Sequence, residues 1–162
     1  MEIEINVSKA DLATQLSVIL SDLVVYKFAA HGFHWNVKGP AFPQYHDFFS
    51  DLYEDAEDAI DPTAENIRKL GFDAPHMLGD FISLATYEPR IVTGDPIEMS
   101  RVLYEMNCNF VNTLTIAFET ATQLNQQGVA DFLAGRIDMH QKWCWQLGTI
   151  CGADATVLHT ID

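Results

Sequence analysis

His31-Gly32-Phe33-His34-Trp35-Asn36-Val37-Lys38-Gly39-Pro40-Ala41-Phe42-Pro43-Gln44-Tyr45-His46 sets two imidazoles, those of His34 and His46, on either side of a break at Lys38-Gly39-Pro40. Proline has no N–H to continue a helix and drives the residue before it toward extended backbone, so Gly39-Pro40 ends one helix. Pro43 is tolerated in the first turn of the next, where an N–H would be unsatisfied anyway. The stretch therefore reads as a corner between two helices with a histidine on each arm.

Outward from the corner, Leu12, Leu16, Ile19, Leu23, Tyr26, Ala30 and His34 recur at helical spacing, and Ser8 with Asp11 matches a capping box. These predict a first helix over roughly residues 8–37, after a short arm formed by residues 1–7. A second is expected from Phe42 or Pro43 to Leu70, with Tyr45, Phe48, Phe49, Leu52, Ala56, Ile60, Ala64 and Ile67 inward and Gly71 as its C-terminal stop. Residues 72–95 form a long crossover with a short helical piece over 77–86. Asp95-Pro96-Ile97-Glu98 starts a third long helix that reaches about Gln126, buried through Leu103, Met106, Phe110, Leu114, Ala117, Ala121 and Leu124. A fourth covers roughly Val129 to Gly152, with Phe132, Leu133, Ile137, His140 or Trp143, and Cys144 or Leu147 inside. Short first and third connections with one long crossover predict an all-α, ferritin-like four-helix bundle with a short helix in the crossover. At 162 residues, 1–162 reads as a single domain.

Charge and cysteine usage narrow the function. Twenty-three acidic side chains face nine basic ones, a formal net charge of −14, which repels DNA and anionic lipid and attracts metal cations. No run of eighteen apolar residues suggests a membrane span, and the acidic start is unlike a secretory leader, so the expected compartment is the cytoplasm. Cys108, Cys144 and Cys151 form no CxxC pair, and Cys144 and Cys151 stand about 10 Å apart along one helix, which excludes a bridge between them. All three are expected to be reduced and mostly buried.

The second helix carries Asp47, Asp51, Glu54, Asp55, Glu57, Asp58, Asp61 and Glu65. Most read as a solvated face, but Asp61 and Glu65 stack one turn apart on one side. Carboxylates with imidazoles suit iron or manganese, and zinc as well. No Glu-x-x-His occurs, so a di-iron centre inside the bundle is not expected. His46 and Asp61 are about 22 Å apart along one helix and cannot share a metal within one chain. Two antiparallel copies of that helix across a two-fold axis would bring them together twice.

His34-Trp35-Asn36-Val37-Lys38-Gly39-Pro40 with Phe42, then His46, then Asp61 with Ala64-Glu65, closing on Leu70-Gly71, resembles the signature of Dps-type mini-ferritins, and the likeness spans essentially the whole chain. The resemblance implies a dodecameric hollow shell that binds Fe²⁺ between subunits, oxidises it, preferentially with hydrogen peroxide, and stores the ferric mineral. It makes His34 and His46 ligands from one subunit, Asp61 and Glu65 ligands from the other, and Trp35 their neighbour, a place compatible with its being a simple core aromatic. Iron is the implied metal, with zinc fitting the same donors. Three positions depart from the pattern. Ser50 stands where an acidic residue is usual, as a weaker neutral ligand or water anchor; Asp47 and Asp51 lie about 100° round the helix from their neighbours and do not replace it. Pro62 is expected to kink the helix beside Asp61, and Asn66 stands where an arginine is usual.

His31 either touches the site or bridges helices; His140 reads as structural, and His76 and His159 as loop and tail residues. Asp131 either lines a three-fold cation route or is an ordinary acidic residue of a first helical turn. A basic terminal arm of the kind used for DNA is missing: Lys9 is the only cation in residues 1–9, and 156–162 hold none. A ferroxidase and iron store is thus the leading expectation, a shell that only binds metal the alternative, and a DNA-binding role is disfavoured.

Overall fold

A computed structural model describes residues 6–88 and 90–153. Five helices and no strand appear among them: α1 (Lys9–Asn36), α2 (Phe42–Lys69), α3 (Leu78–Leu84), α4 (Pro96–Gln123) and α5 (Gln127–Cys151). α1 packs along α2, α4 along α5, and α1 also against α4, while the crossover helix α3 lies on α1. The expected ferritin-like bundle is what forms. Part of the N-terminal arm and the tail with His159 lie outside the described residues.

Local chemistry sets the ends. The Ser8 hydroxyl accepts the Asp11 N–H while the Asp11 carboxylate accepts the Ser8 N–H, the reciprocal cap read from sequence. Asp95 accepts the N–H groups of Ile97 and Glu98 at the start of α4, with Pro96 first in the helix. Gly71 takes φ +95° just past α2, a conformation that suits glycine. α4 stops three residues earlier than expected because Asn125 turns left-handed, with φ 55°. α3 is shorter than the expected piece, since Ala85 leaves helical geometry and Thr86 is drawn onto Asp22 instead.

The core is built from Leu12, Leu16, Ile19 and Leu23 of α1, Phe49, Leu52 and Ile67 of α2, Leu103 and Leu114 of α4, and Leu133 and Leu147 of α5. α1 has the length and composition of a membrane span, yet more than half of that apolar window is buried within the bundle. His140 and Trp143 are both buried, as are Cys144 and Leu147, whereas Tyr45, Phe48, Ile60 and Ala64 are only half-buried at the core's edge.

A chain of hydrogen bonds crosses this core. Arg136 donates twice to Asp55, at 3.0 and 2.7 Å, and Trp143 Nε1 donates to the same carboxylate. Arg136 also donates to His140 Nε2, which makes that nitrogen an acceptor and leaves Nδ1–H to donate to Asn107 Oδ1 at 2.6 Å. The Asn107 amide then donates to the Tyr26 hydroxyl and the Leu103 carbonyl. Burial alone pushes the Asp55 carboxyl up, and the bonds and charge of Arg136 more than reverse this, leaving it below its ordinary value. Burial, reinforced by the Arg136 charge, drives His140 down to about 3, so it stays neutral.

Two outcomes follow. Asp55→Ala strands a largely buried guanidinium and should cost about 3 kcal/mol in denaturant unfolding. In the unfolded chain His140 titrates near its ordinary 6.5; between that pH and about 3 only the unfolded state takes up the proton, so stability falls as pH falls through this window. Asp55, held low when folded, adds a loss in the same direction below its ordinary 3.8. His140→Gln preserves an acceptor for Arg136 and a donor for Asn107. It should flatten the decline in melting temperature between pH 6.5 and 4, measured at fixed protein concentration; an unchanged slope would show that His140 is not its source.

Candidate metal site

The α1–α2 corner is pinned from outside the pair. Lys38 N–H donates to the Gly94 carbonyl at 2.9 Å, joining the corner to the end of the crossover. Gly94 takes φ +80°, and a methyl group there would stand 3.2 Å from the Lys38 side chain, so the close approach needs glycine.

Within the corner, His34 and His46 latch reciprocally. His34 Nδ1 lies 2.6 Å from the His46 carbonyl oxygen, and His46 Nδ1 lies 2.8 Å from the His34 carbonyl oxygen. A carbonyl only accepts, so both Nδ1 atoms carry hydrogen, and Nε2 is the nitrogen of each ring that can offer a lone pair. The rings stack at 3.6 Å between centroids with 19° between planes, and Phe42 stacks on the far side of His46 at 4.9 Å. This is the tautomer a metal-binding imidazole needs, held by backbone acceptors.

His31 joins neither the latch nor the core. It lies between Tyr53, at 4.0 Å, and Trp35, at 4.2 Å, with its ring centre 6.0 Å from that of His34. Desolvation by these neighbours, then the Lys27 charge, holds its imidazole below the ordinary value. Trp35 is 61% exposed, so the core-aromatic reading of this residue does not hold in the isolated chain.

α2 runs through Pro62 as one helix. The half-buried ring removes the N–H that would reach the Asp58 carbonyl, yet the next residue, Thr63, is buried with its hydroxyl donating to the Ala59 carbonyl at 2.7 Å. Asp61 and Glu65 both stay exposed, in no ion pair with another described residue. Asn66 points inward, 2% exposed, its side-chain amide oxygen without a partner among the described residues, so it does not stand beside these carboxylates. The Ser50 hydroxyl donates to the Asp47 carbonyl at 2.7 Å, tied to its own helix. Asp131 is exposed but lies past the first turn of α5, which removes the helix-dipole reason for it. His76 is exposed in the loop before α3.

Among the described residues no three His, Cys, Asp or Glu side chains of one chain converge as a metal site. The chain carries two separated halves: a pair of free imidazole nitrogens at the start of α2, and a pair of exposed carboxylates toward its end. Sequence reading assigned Asp55 to the solvated face, although its spacing from Leu52 and Ala59 put it inward. It also did not pair Cys108 with Cys144, whose sulfurs lie 3.7 Å apart across α4 and α5.

The ferritin-like domain family matches residues 13–156. The chain belongs to that family. A DNA protection during starvation protein of Brevibacillus brevis is 27% identical over 136 residues, covering 84% of this chain and 91% of that protein. A Dps protein from Bacillus brevis superposes with a TM-score of 0.84 at 26% identity, over 92% of this chain and 98% of that one. A Dps protein from Vibrio cholerae O1, a member of a broad superfamily of ferritin-like diiron-carboxylate proteins, superposes at 0.84 with 23% identity, over 87% and 89%, a likeness of fold alone. The resemblance to Dps-type mini-ferritins carried by the corner motif thus has named relatives behind it.

The tether on Ser50 yields a sharp expectation. Ser50→Ala should leave zinc affinity of the assembled protein within about twofold, because a backbone-bound hydroxyl adds little as a ligand. Ser50→Glu, one turn beyond His46, should tighten it by about tenfold or more. Isothermal titration decides, and a large loss in the alanine variant would restore the hydroxyl as a ligand.

Proposed function

We propose that this ferritin-like chain oxidises Fe²⁺ at sites shared between two copies and stores the ferric product in the hollow of a shell, a dodecamer in the cytoplasm. In this reading the Nε2 atoms of His34 and His46 bind Fe²⁺ from one subunit, and Asp61 and Glu65 bind it from the other. The carboxylates neutralise charge that rises as Fe²⁺ becomes Fe³⁺, and hydrogen peroxide, or O₂ less readily, takes the electrons. Trp35 and His31 lie beside the reacting metal and shield it from water.

The observation that carries this reading is the division of donors. Each half offers two ligands with no third among the described residues to complete them, and antiparallel copies of α2 across a two-fold axis would supply the complement. Exposed apolar surface beside the corner supports such a partner: Phe28, Trp35, Phe42, Leu78 and Ile82 all face solvent in the single chain, and a groove of about 890 Å³ separates α1 from the crossover. Three free cysteines suit a reducing compartment.

Protection of DNA, the role in the relatives' names, needs no contact with DNA in this reading. Consuming Fe²⁺ and peroxide removes the pair that damages it, while the net charge of −14 opposes binding a polyanion. The tethered Ser50 favours one rival: a shell that binds iron or zinc at the same sites without fast oxidation.

The test loads metal-free, size-checked assembly with Fe²⁺ anaerobically, adds peroxide and records ferric absorbance. The parent should oxidise iron at least about tenfold faster than His46→Ala or Glu65→Ala, the scale expected when a ligand of a catalytic metal is lost. Shells co-assembled from the two variants should recover activity, since a mixed pair rebuilds one intact site with both histidines from one chain and both carboxylates from the other. No recovery would sink the shared site. A parent as slow as its variants, yet still binding metal, would leave the binding shell.

A further inference from the structure

α4 and α5 run antiparallel, and their facing residues keep step over three contacts. Arg101 donates to the Cys151 carbonyl at 3.2 Å; one turn on along α4 and one turn back along α5, Tyr104 packs on Gly148; a further turn brings Cys108 to Cys144. Gly148 makes the approach close, since a methyl group there would stand 3.0 Å from the Tyr104 ring. Facing Cα atoms on helices packed this way are about 4–6 Å apart, the separation a disulfide spans. The two sulfurs already touch at 3.7 Å, and side-chain rotation closes the rest.

The two sulfurs are unequal. Cys108 is partly exposed and Cys144 is buried behind it. The sulfur–sulfur contact, in which either thiol can donate, holds the pKa of Cys108 below the ordinary thiol range and pushes that of the buried Cys144 up. Cys151 is buried elsewhere on α5, its thiol donating to the Gly148 carbonyl. An accessible, more acidic sulfur in contact with a second, protected thiol is the arrangement of a peroxide-reactive cysteine with its resolving partner.

We propose that Cys108 and Cys144 form a dithiol site that reduces hydroperoxides and closes to a reversible disulfide between α4 and α5. The Cys108 thiolate attacks one oxygen of the hydroperoxide; the O–O bond breaks, the other oxygen leaves with a proton as water or alcohol, and Cys108 becomes a sulfenic acid. The Cys144 sulfur then attacks the Cys108 sulfur. The S–S bond forms, the S–O bond breaks, and the departing hydroxide takes the Cys144 proton as water. One hydroperoxide is reduced and two thiols are oxidised, and an external dithiol restores the pair. The site uses no metal, so it stands or falls apart from the ferroxidase reading.

The experiment treats chelator-stripped, fully assembled protein with about one equivalent of hydrogen peroxide per chain, alkylates the remaining thiols under denaturing conditions, and takes the intact mass and a non-reducing peptide map. The parent should retain one alkylatable thiol, lose about 2 Da before alkylation, yield a peptide joining Cys108 to Cys144, and return to three thiols with dithiothreitol. Cys151→Ser should behave as the parent does, while Cys108→Ser and Cys144→Ser should form no bridge. Three alkylatable thiols after peroxide, a bridge involving Cys151, or Cys108 ending as sulfinic acid in the parent would each overturn the proposal. The parent's own map decides without any variant having to fold.

Discussion

One line of hydrogen bonds ties all four long helices to each other: Asp55 of α2, Arg136 and His140 of α5, Asn107 of α4 and Tyr26 of α1. Apolar packing alone tolerates sliding of one helix past another, because a leucine stripe offers similar contacts one turn along. Buried donors and acceptors do not, since a shift leaves them unpaired at a cost of kilocalories. With His140 neutral and Asp55 charged, every member has a defined role. That line sets which residues of α4 and α5 face each other, and the Cys108–Cys144 contact is one consequence.

At the far end of α1, the corner holds its histidines in the same manner. Each imidazole is bonded to the other's backbone, so neither ring turns without breaking a contact, and the corner itself is held by Lys38 and Gly94. The result is a preorganised pair of imidazoles, each with Nδ1 committed to a backbone carbonyl. Asp61 and Glu65 have no such support among the described residues. They stay exposed, as do Trp35 and Phe28.

The acidic surface and the divided donor set are compatible with one physical role. A charge of −14 concentrates cations and repels polyanions, and imidazoles and carboxylates are the donor types that transition metals take. The dithiol between α4 and α5 would add a second route for peroxide that uses sulfur in place of iron.

The sequence by itself determined the helices, their ends and the corner. Gly39-Pro40, the Ser8–Asp11 box, Asp95-Pro96 and Gly71 act within a few residues of themselves, and apolar periodicity names the inward face of each helix. His34 and His46 were legible because the turn between them is short. Asp55, the pairing of Cys108 with Cys144, the exposure of Trp35 and the inward turn of Asn66 were not. Each depends on which residue of another helix stands opposite, or on what covers a face. Periodicity fixes the angle of a side chain about its own helix, not the register between two helices. Only the packed bundle, with its buried polar line in place, decided that.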